Sequence, residues 1–303
     1  MQMIENFDDL FDPQPVSLST PQGPSLDKEA WAAKKQQERE AVYHRIDETV
    51  SAMAGDGKLY QAYLDVQARL DRYSVANTIL IVDQMPGATC LADFDSWKAN
   101  GIYVKQGAKS ISILEPGKEY RRENGSVGVS YNVKKVFDIS QTNAPAKPPR
   151  PRRDERTLLK ALLNDPPCKI EVRDEVPDGR NVAYIPEGES HAIVVRRGLD
   201  AHTIFRGLAQ ELCRAYLDRN KWACASPDFA VYSAAYLLCQ RNGIPTDSFS
   251  FQRMPEVYRD MDPQELRKEL CVIRNVAGDV TVTMDRFFEV QQRGQKNRDS
   301  EAR

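Results

Sequence analysis

The 303 residues are 41% hydrophobic and 28% charged, with a formal net charge of −2, the composition of a soluble globular protein long enough for two domains. No apolar run approaches the roughly 18–20 residues of a membrane span, and the acidic N-terminus offers no basic stretch to open a secretory signal. No membrane partner is expected, the cytoplasm is the expected location, and the six scattered cysteines read as reduced thiols rather than a disulfide framework.

Residues 1–25, rich in Pro, Asp and Ser, read as a disordered acidic tail. Helical periodicity then runs from Leu26 to about Ala54, carried by Trp31, Val42, Ile46 and Val50. After a Gly55-Asp-Gly57 turn, a second helix is predicted over 58–70. A third covers 72–84, capped by Ser74 and stopped at Met85-Pro86-Gly87. Residues 91–100 suggest a short helix carrying Trp97. Strand alternation begins at Gly101, with Ile102–Val104, Ser110–Leu114, Val127–Val133 and Val136–Ile139 separated by turns at Gly107, Pro116-Gly117 and Asn124-Gly125.

Residues 143–153 form a Pro-rich basic linker, which sets the expected boundary between a domain at 26–142 and one at 154–290. Beyond it a helix is predicted over 154–164, then strands at 170–173, 183–185 and 192–195, the last two as a hairpin. A long helix follows from an Asp200 cap through Leu217. Another starts at Ser226-Pro227 and ends before Gly243, and a third runs from Asp262-Pro263 to about Val276. Residues 291–303 read as a polar tail. The expected fold class is α+β in two domains: helices followed by a small antiparallel sheet, then a hairpin with long helices.

Charge is distributed unevenly. Residues 1–56 carry a net of −6 and residues 98–156 a net of +7. A basic middle in a nearly neutral chain points to a local polyanion site. Lys98, Lys105, Lys109, Lys118, Arg121, Arg122, Lys134 and Lys135 lie there, interleaved with Tyr103, Tyr120 and Tyr131. Single-stranded nucleic acid is held by cations along its backbone and by aromatic faces on which bases stack. Small strands are expected to display these groups on one surface. The plainer reading is a solvated basic face, with Tyr73, Trp97 and Phe137 in the core and Asn77 hydrogen-bonded inside its own domain.

Residues 208–217, Leu-Ala-Gln-Glu-Leu-Cys-Arg-Ala-Tyr-Leu, have the frame of the H-E-x-x-H helix of zinc peptidases. Gln210 and Arg214 occupy the two histidine slots, and only the glutamate remains, as Glu211. An amide and a permanent cation cannot replace two neutral imidazoles around Zn²⁺. The three histidines are scattered, and a set such as His202, Cys213 and Glu211 has no established ligand spacing. No metal, cofactor or catalytic residue is therefore expected. Glu211 is at most vestigial, a carboxylate paired with Arg206, Arg214 or another basic side chain.

Tyr73-Ser-x-x-Asn77, Trp97, Val104-Lys105-x-Gly107-x-Lys109 and Ile111-Ser-Ile-Leu-x-Pro116 stand in the order found in the N-terminal domain of ArdC-like antirestriction proteins. This pattern covers roughly residues 40–142, and residues 155–280 resemble the zinc-peptidase-like half of the same family. The resemblance implies a first domain that binds single-stranded DNA and a zincin-like α+β second domain. It also implies that Tyr232 stands at the third ligand position, so that Gln210, Arg214 and Tyr232 are degenerate together. Resemblance and charge pattern jointly nominate Tyr73, Asn77, Lys98, Tyr103, Lys105, Lys109, Arg121, Arg122, Tyr131, Lys134 and Lys135 for DNA contact. A role on plasmids or conjugative elements, protecting entering DNA, is further implied, with a pseudo-peptidase domain available to a protein partner. Two other functions stay open: a metallohydrolase with a rearranged site around Glu211, and a protein-interaction module that binds no DNA.

Overall fold

The computed structural model describes residues 28–121, 125–145, 152–187 and 190–301. The expected acidic tail, the middle of the Pro-rich linker and Arg122 lie outside the described residues. The chain divides into two compact units, residues 1–38 and 39–303. The first is described only from Lys28, in the opening turns of α1 (Lys28–Gly55), where Trp31 is 54% exposed rather than part of an apolar stripe.

In the second unit the buried stripe of α1 is Val42, Ile46, Val50 and Met53, at the three- and four-residue spacing that keeps side chains on one helix face. α2 (Gly57–Arg69) starts where the Asp56 carboxylate accepts the Lys58 and Leu59 N–H groups. The N-terminus of α3 (Val75–Gln84) is capped in turn by Ser74, which accepts from the Asn77 N–H. Next come β1 (Leu91–Ala92), α4 (Phe94–Ala99), β2 (Ile111–Arg121) and β3 (Val127–Asp138). They form an antiparallel sheet in the order β1-β3-β2.

This sheet departs from expectation in three places. Residues 102–104 make no strand, only a single bridge from Val104 to Thr142, because Gly101 and Gly107 at positive φ curl the chain on either side. Pro116-Gly117 is no turn. β2 runs through it with a register shift between Pro116 and Glu119, which an edge strand tolerates because it pairs on one side only. Finally, Val136–Asp138 continues β3 rather than forming a separate strand.

α5 (Glu155–Leu162), capped by Asp154, leads into β4 (Lys169–Arg173), β5 (Val182–Glu187) and β6 (Ser190–Arg196). β6 is central, parallel to β4 and antiparallel to β5, as the hairpin expectation required. α6 (Ala201–Arg219), capped by Asp200, lies close against β5: a Cβ on Gly207 would stand 2.4 Å from a Val182 methyl. α7 (Pro227–Asn242) has Pro in its first turn and ends on Gly243 in the left-handed region. A short α8 (Glu256–Arg259) precedes α9 (Pro263–Glu301). α9 does not stop near Val276, because Val276, Val280, Met284 and Phe288 extend its buried stripe at four-residue spacing.

One hydrophobic cluster extends from Val42 to Phe288, so residues on both sides of the expected linker share a core. Asn77 pins α3 to β2 within it. Its Nδ2 donates to the Leu114 carbonyl at 2.8 Å and its Oδ1 accepts the Leu114 N–H at 2.7 Å. Asn77→Ala would leave both backbone groups buried and unpaired, an expected loss of about 2 kcal/mol in the urea unfolding free energy. Lys98→Ala, at an exposed position, should stay within about 0.5 kcal/mol of the parent.

Candidate nucleic-acid surface and the Glu211 cleft

Asp138, 1% exposed at the end of β3, organises the basic loop. Its Oδ1 accepts the Thr89 and Cys90 N–H groups at 2.6 and 2.8 Å, and its Oδ2 accepts both the N–H and the hydroxyl of Ser140. Burial pushes this carboxyl up, but the hydrogen bonds outweigh it and hold Asp138 below the ordinary carboxylate range. From here the 138–143 segment grips the loop at 102–109. The Gln141 side-chain amide donates to the Lys109 carbonyl at 2.7 Å, and the Gln141 backbone carbonyl accepts the Lys105 N–H at 2.8 Å. Asn143 pairs with both backbone groups of Tyr103.

The outcome is a fixed loop that presents Tyr103, 57% exposed, together with exposed Lys105 and Lys109. Lys105 Nζ rests on the Ser140 carbonyl at 3.0 Å, a neutral partner that leaves its charge uncompensated.

The β2–β3 hairpin carries the remaining aromatics, but not on one surface as expected. Tyr131, Val133 and Lys135 alternate onto one face of β3. Tyr120 is paired with Gly128, three residues from Tyr131, and its ring lies where a Gly128 side chain would be. The extra residue in β2 between Pro116 and Glu119 flips Tyr120 to the opposite face. Both rings are accessible, Tyr120 at 50% and Tyr131 at 39%. No sequence signal located that bulge.

The other nominated residues separate clearly. Lys98, Arg121 and Lys135 are exposed, and Lys135 donates to the Ser112 hydroxyl at 2.7 Å. Lys134 is taken up by the fold: its ammonium lies 2.7 Å from Glu115 and 3.0 Å from Asp93, and these two bonds hold its pKa above the ordinary lysine value. Asp93 is also the α4 cap, and hydrogen bonds from Ser96 lead in pulling its pKa down to about 2. Tyr73 is half-buried against the core and its hydroxyl pKa is raised by that burial. Asn77 is spent on Leu114, which leaves its amide facing the fold rather than a ligand.

The second candidate is a cleft of about 390 Å³ between the start of β5, α6, α7 and the 248–249 segment. Gln210, Glu211 and Tyr232 all line it, so the helix frame and the Tyr232 position converge in space. Glu211 is 1% exposed at its floor. Its Oε1 accepts from Arg180 at 2.6 Å, and its Oε2 accepts the Tyr184 N–H at 3.2 Å and faces Arg214 Nε at 3.4 Å. Arg214 in turn reaches Asp228 at 2.8 Å. Arg206, one of the expected partners, bonds the Thr203 hydroxyl instead. Arg180 was not foreseen, since it lies 31 residues away with no spacing that announces it. His202 pairs with Glu155 at 3.1 Å, away from Glu211. Among the described residues no three His, Cys, Asp or Glu side chains gather into a metal ligand set. Nor is any described helix long and apolar enough to cross a membrane.

No family model matches this chain, and no curated protein does. Solved structures similar to it include two of one protein. Against the metal-free antirestriction protein ArdC from plasmid R388 the identity is 18% and the TM-score 0.48, covering 71% of this chain and 86% of that one. Against the Mn(II)-bound form of the same protein the values are 16% and 0.46, covering 82% and 97%.

Two outcomes follow from these geometries. Asp138→Asn should flatten the acid limb of stability: a depressed carboxyl contributes above its unfolded pKa, and that contribution is lost as pH falls through the lower folded value. Urea midpoints between pH 7 and pH 3 would read this as a smaller drop in the variant. Glu211→Ala removes the acceptor shared by Arg180, Arg214 and the Tyr184 N–H, with an expected cost of about 3 kcal/mol in the same assay.

Proposed function

We propose that this chain is an ArdC-like antirestriction protein that binds single-stranded DNA without sequence preference on behalf of a plasmid or conjugative element. The observation that carries this reading is the fixed loop at 102–109, which exposes a tyrosine ring and, two and six residues on, two lysines whose ammonium groups make no ion pair with a carboxylate among the described residues. Such a loop supplies both halves of single-strand recognition, a stacking platform and backbone cations, with little ordering cost on binding. Tyr131 and Lys135 on one face of β3 repeat the same pairing, and Lys98 and Arg121 add charge. The order of the Tyr73, Trp97, Lys105 and Ile111 elements along the chain supports the family.

In the same reading the Glu211 cleft has lost peptidase chemistry. A general base needs a carboxylate oxygen free to take a proton from water. Both oxygens of Glu211 are engaged, one by Arg180 and the other by the Tyr184 N–H and Arg214. The neighbouring Gln210 and Arg214 offer no metal-ligating nitrogen.

Anisotropy of a labelled single-stranded oligonucleotide is the test. Binding is expected to weaken steeply between 50 and 200 mM salt. Replacing Lys105 and Lys109 by Glu should cost at least tenfold in affinity and reduce the log–log salt slope by about 1.4, the share of two phosphate contacts. Tyr103→Ala should cost about 1–3 kcal/mol, as for loss of a stacking platform. Equal affinity of the parent and the double variant would remove this surface from consideration.

A further inference from the structure

We infer that the cleft beside Glu211 binds a terminal phosphate group carried on a molecule about the size of a nucleoside monophosphate. This inference does not depend on the DNA-binding surface. The cleft, at about 390 Å³, falls within the range of small-molecule sites. Its lining holds three charged residues, Arg180, Arg206 and Glu211. The carboxylate side chain is only 2% exposed and lies beneath Arg180, whose own side chain is 42% exposed. An incoming ligand therefore meets guanidinium edges and not the acid.

Each of these arginines keeps donors in reserve. A guanidinium has five N–H groups, and in each one bond is accounted for inside the cleft: Arg180 to Glu211 at 2.6 Å, Arg206 to the Thr203 hydroxyl at 3.1 Å. The nearby acid is Asp200, the exposed cap of α6, whose carboxylate is held below its ordinary range first by the Thr203 hydroxyl and N–H, the latter at 2.9 Å, and only weakly by Arg206. A cation is disfavoured here, since the accessible charge is positive. A lone carboxylate would use one fork, whereas a phosphate dianion has oxygens for two forks and for the hydroxyl of Ser248. Tyr232 and Phe249, ring centroids 4.9 Å apart and planes tilted by 48°, also line the cleft and give the organic part of the ligand an aromatic corner to pack into.

The phosphate has two possible sources, a free mononucleotide or the phosphorylated end of a strand. Calorimetric titration of the full chain with adenosine 5′-monophosphate, inorganic phosphate and adenosine tests the shared chemistry. The monophosphate should bind, phosphate more weakly, and adenosine not detectably. Arg206→Gln should weaken the monophosphate at least tenfold. Gln210→Arg, which adds a third fork at the wall, should tighten it, a gain that misfolding cannot mimic. The source is read by comparing 5′-phosphorylated and 5′-hydroxyl oligonucleotides on the variant with Glu at 105 and 109. A phosphate-dependent difference there assigns the strand end, and its absence with monophosphate binding intact assigns the free nucleotide. Failure of the parent to bind the monophosphate, adenosine binding equally well, or an Arg206→Gln variant indistinguishable from the parent would each overturn the inference.

Discussion

The burial of α7 is the constraint from which the rest of the second unit follows. Ala230, Val231 and residues 233–239 are all buried, with Tyr232 alone between them partly exposed, so the middle of this helix must be enclosed. α6, α9 and α2 enclose it. Val231, Leu237 and Leu238 alone contribute about 1.5–3 kcal/mol each on transfer from water. The few polar atoms that enter this environment are paired across it: the Tyr60 hydroxyl donates to Ser233 at 2.8 Å, and the Tyr236 hydroxyl donates to Asp65 at 2.6 Å. Those two bonds join α2 to α7 over more than 170 residues of sequence. α2, on which α3 packs, and α6, which lines the cleft, are therefore built on the same element.

Enclosing α7 also fixes the chemistry of α6. A helix packed on α7 from one side and on β5 at Gly207 from the other turns Glu211 inward, where a lone carboxylate would be costly. Arg180 and Arg214 meet that cost, and Asp228 in turn balances Arg214. The buried charge is offset by guanidinium groups, and the space they leave is a cleft whose accessible charge is positive. With arginines on both sides, removing the carboxylate would leave their charges unpaired and is worse than keeping it.

Much of this was legible in the sequence, for identifiable reasons. Ser74, Asp154 and Asp200 sit where capping chemistry demands a side-chain acceptor, and each marks a helix start in the structure. Pro227 and Gly243 bracket α7 for the same kind of local reason. What local rules could not supply was pairing between distant residues. Arg180 answers to Glu211 only once the hairpin folds over α6, and Asp138 takes the N–H groups of Thr89 and Cys90 from a segment 48 residues earlier. α9 outruns the expected end near Val276 because the partners that bury Val280, Met284 and Phe288 come from elsewhere in the chain.

The instructive failure is Pro116-Gly117. Local chemistry makes that dipeptide a turn, and a turn there would have ended β2 before Tyr120. Instead the edge position of β2 removes the penalty on proline, the strand continues, and one extra residue is absorbed as a bulge. Because side chains alternate with a period of two, that single residue reverses which face Tyr120 joins. Tyr120 then spends part of its ring covering Gly128, while Tyr131 remains on the face that carries Lys135. A surface that composition describes as uniformly basic and aromatic is thereby divided into two faces of different character. A ring and a cation therefore share the Tyr131 face, and the bulge, rather than the number of lysines, decides which aromatic stands beside which charge.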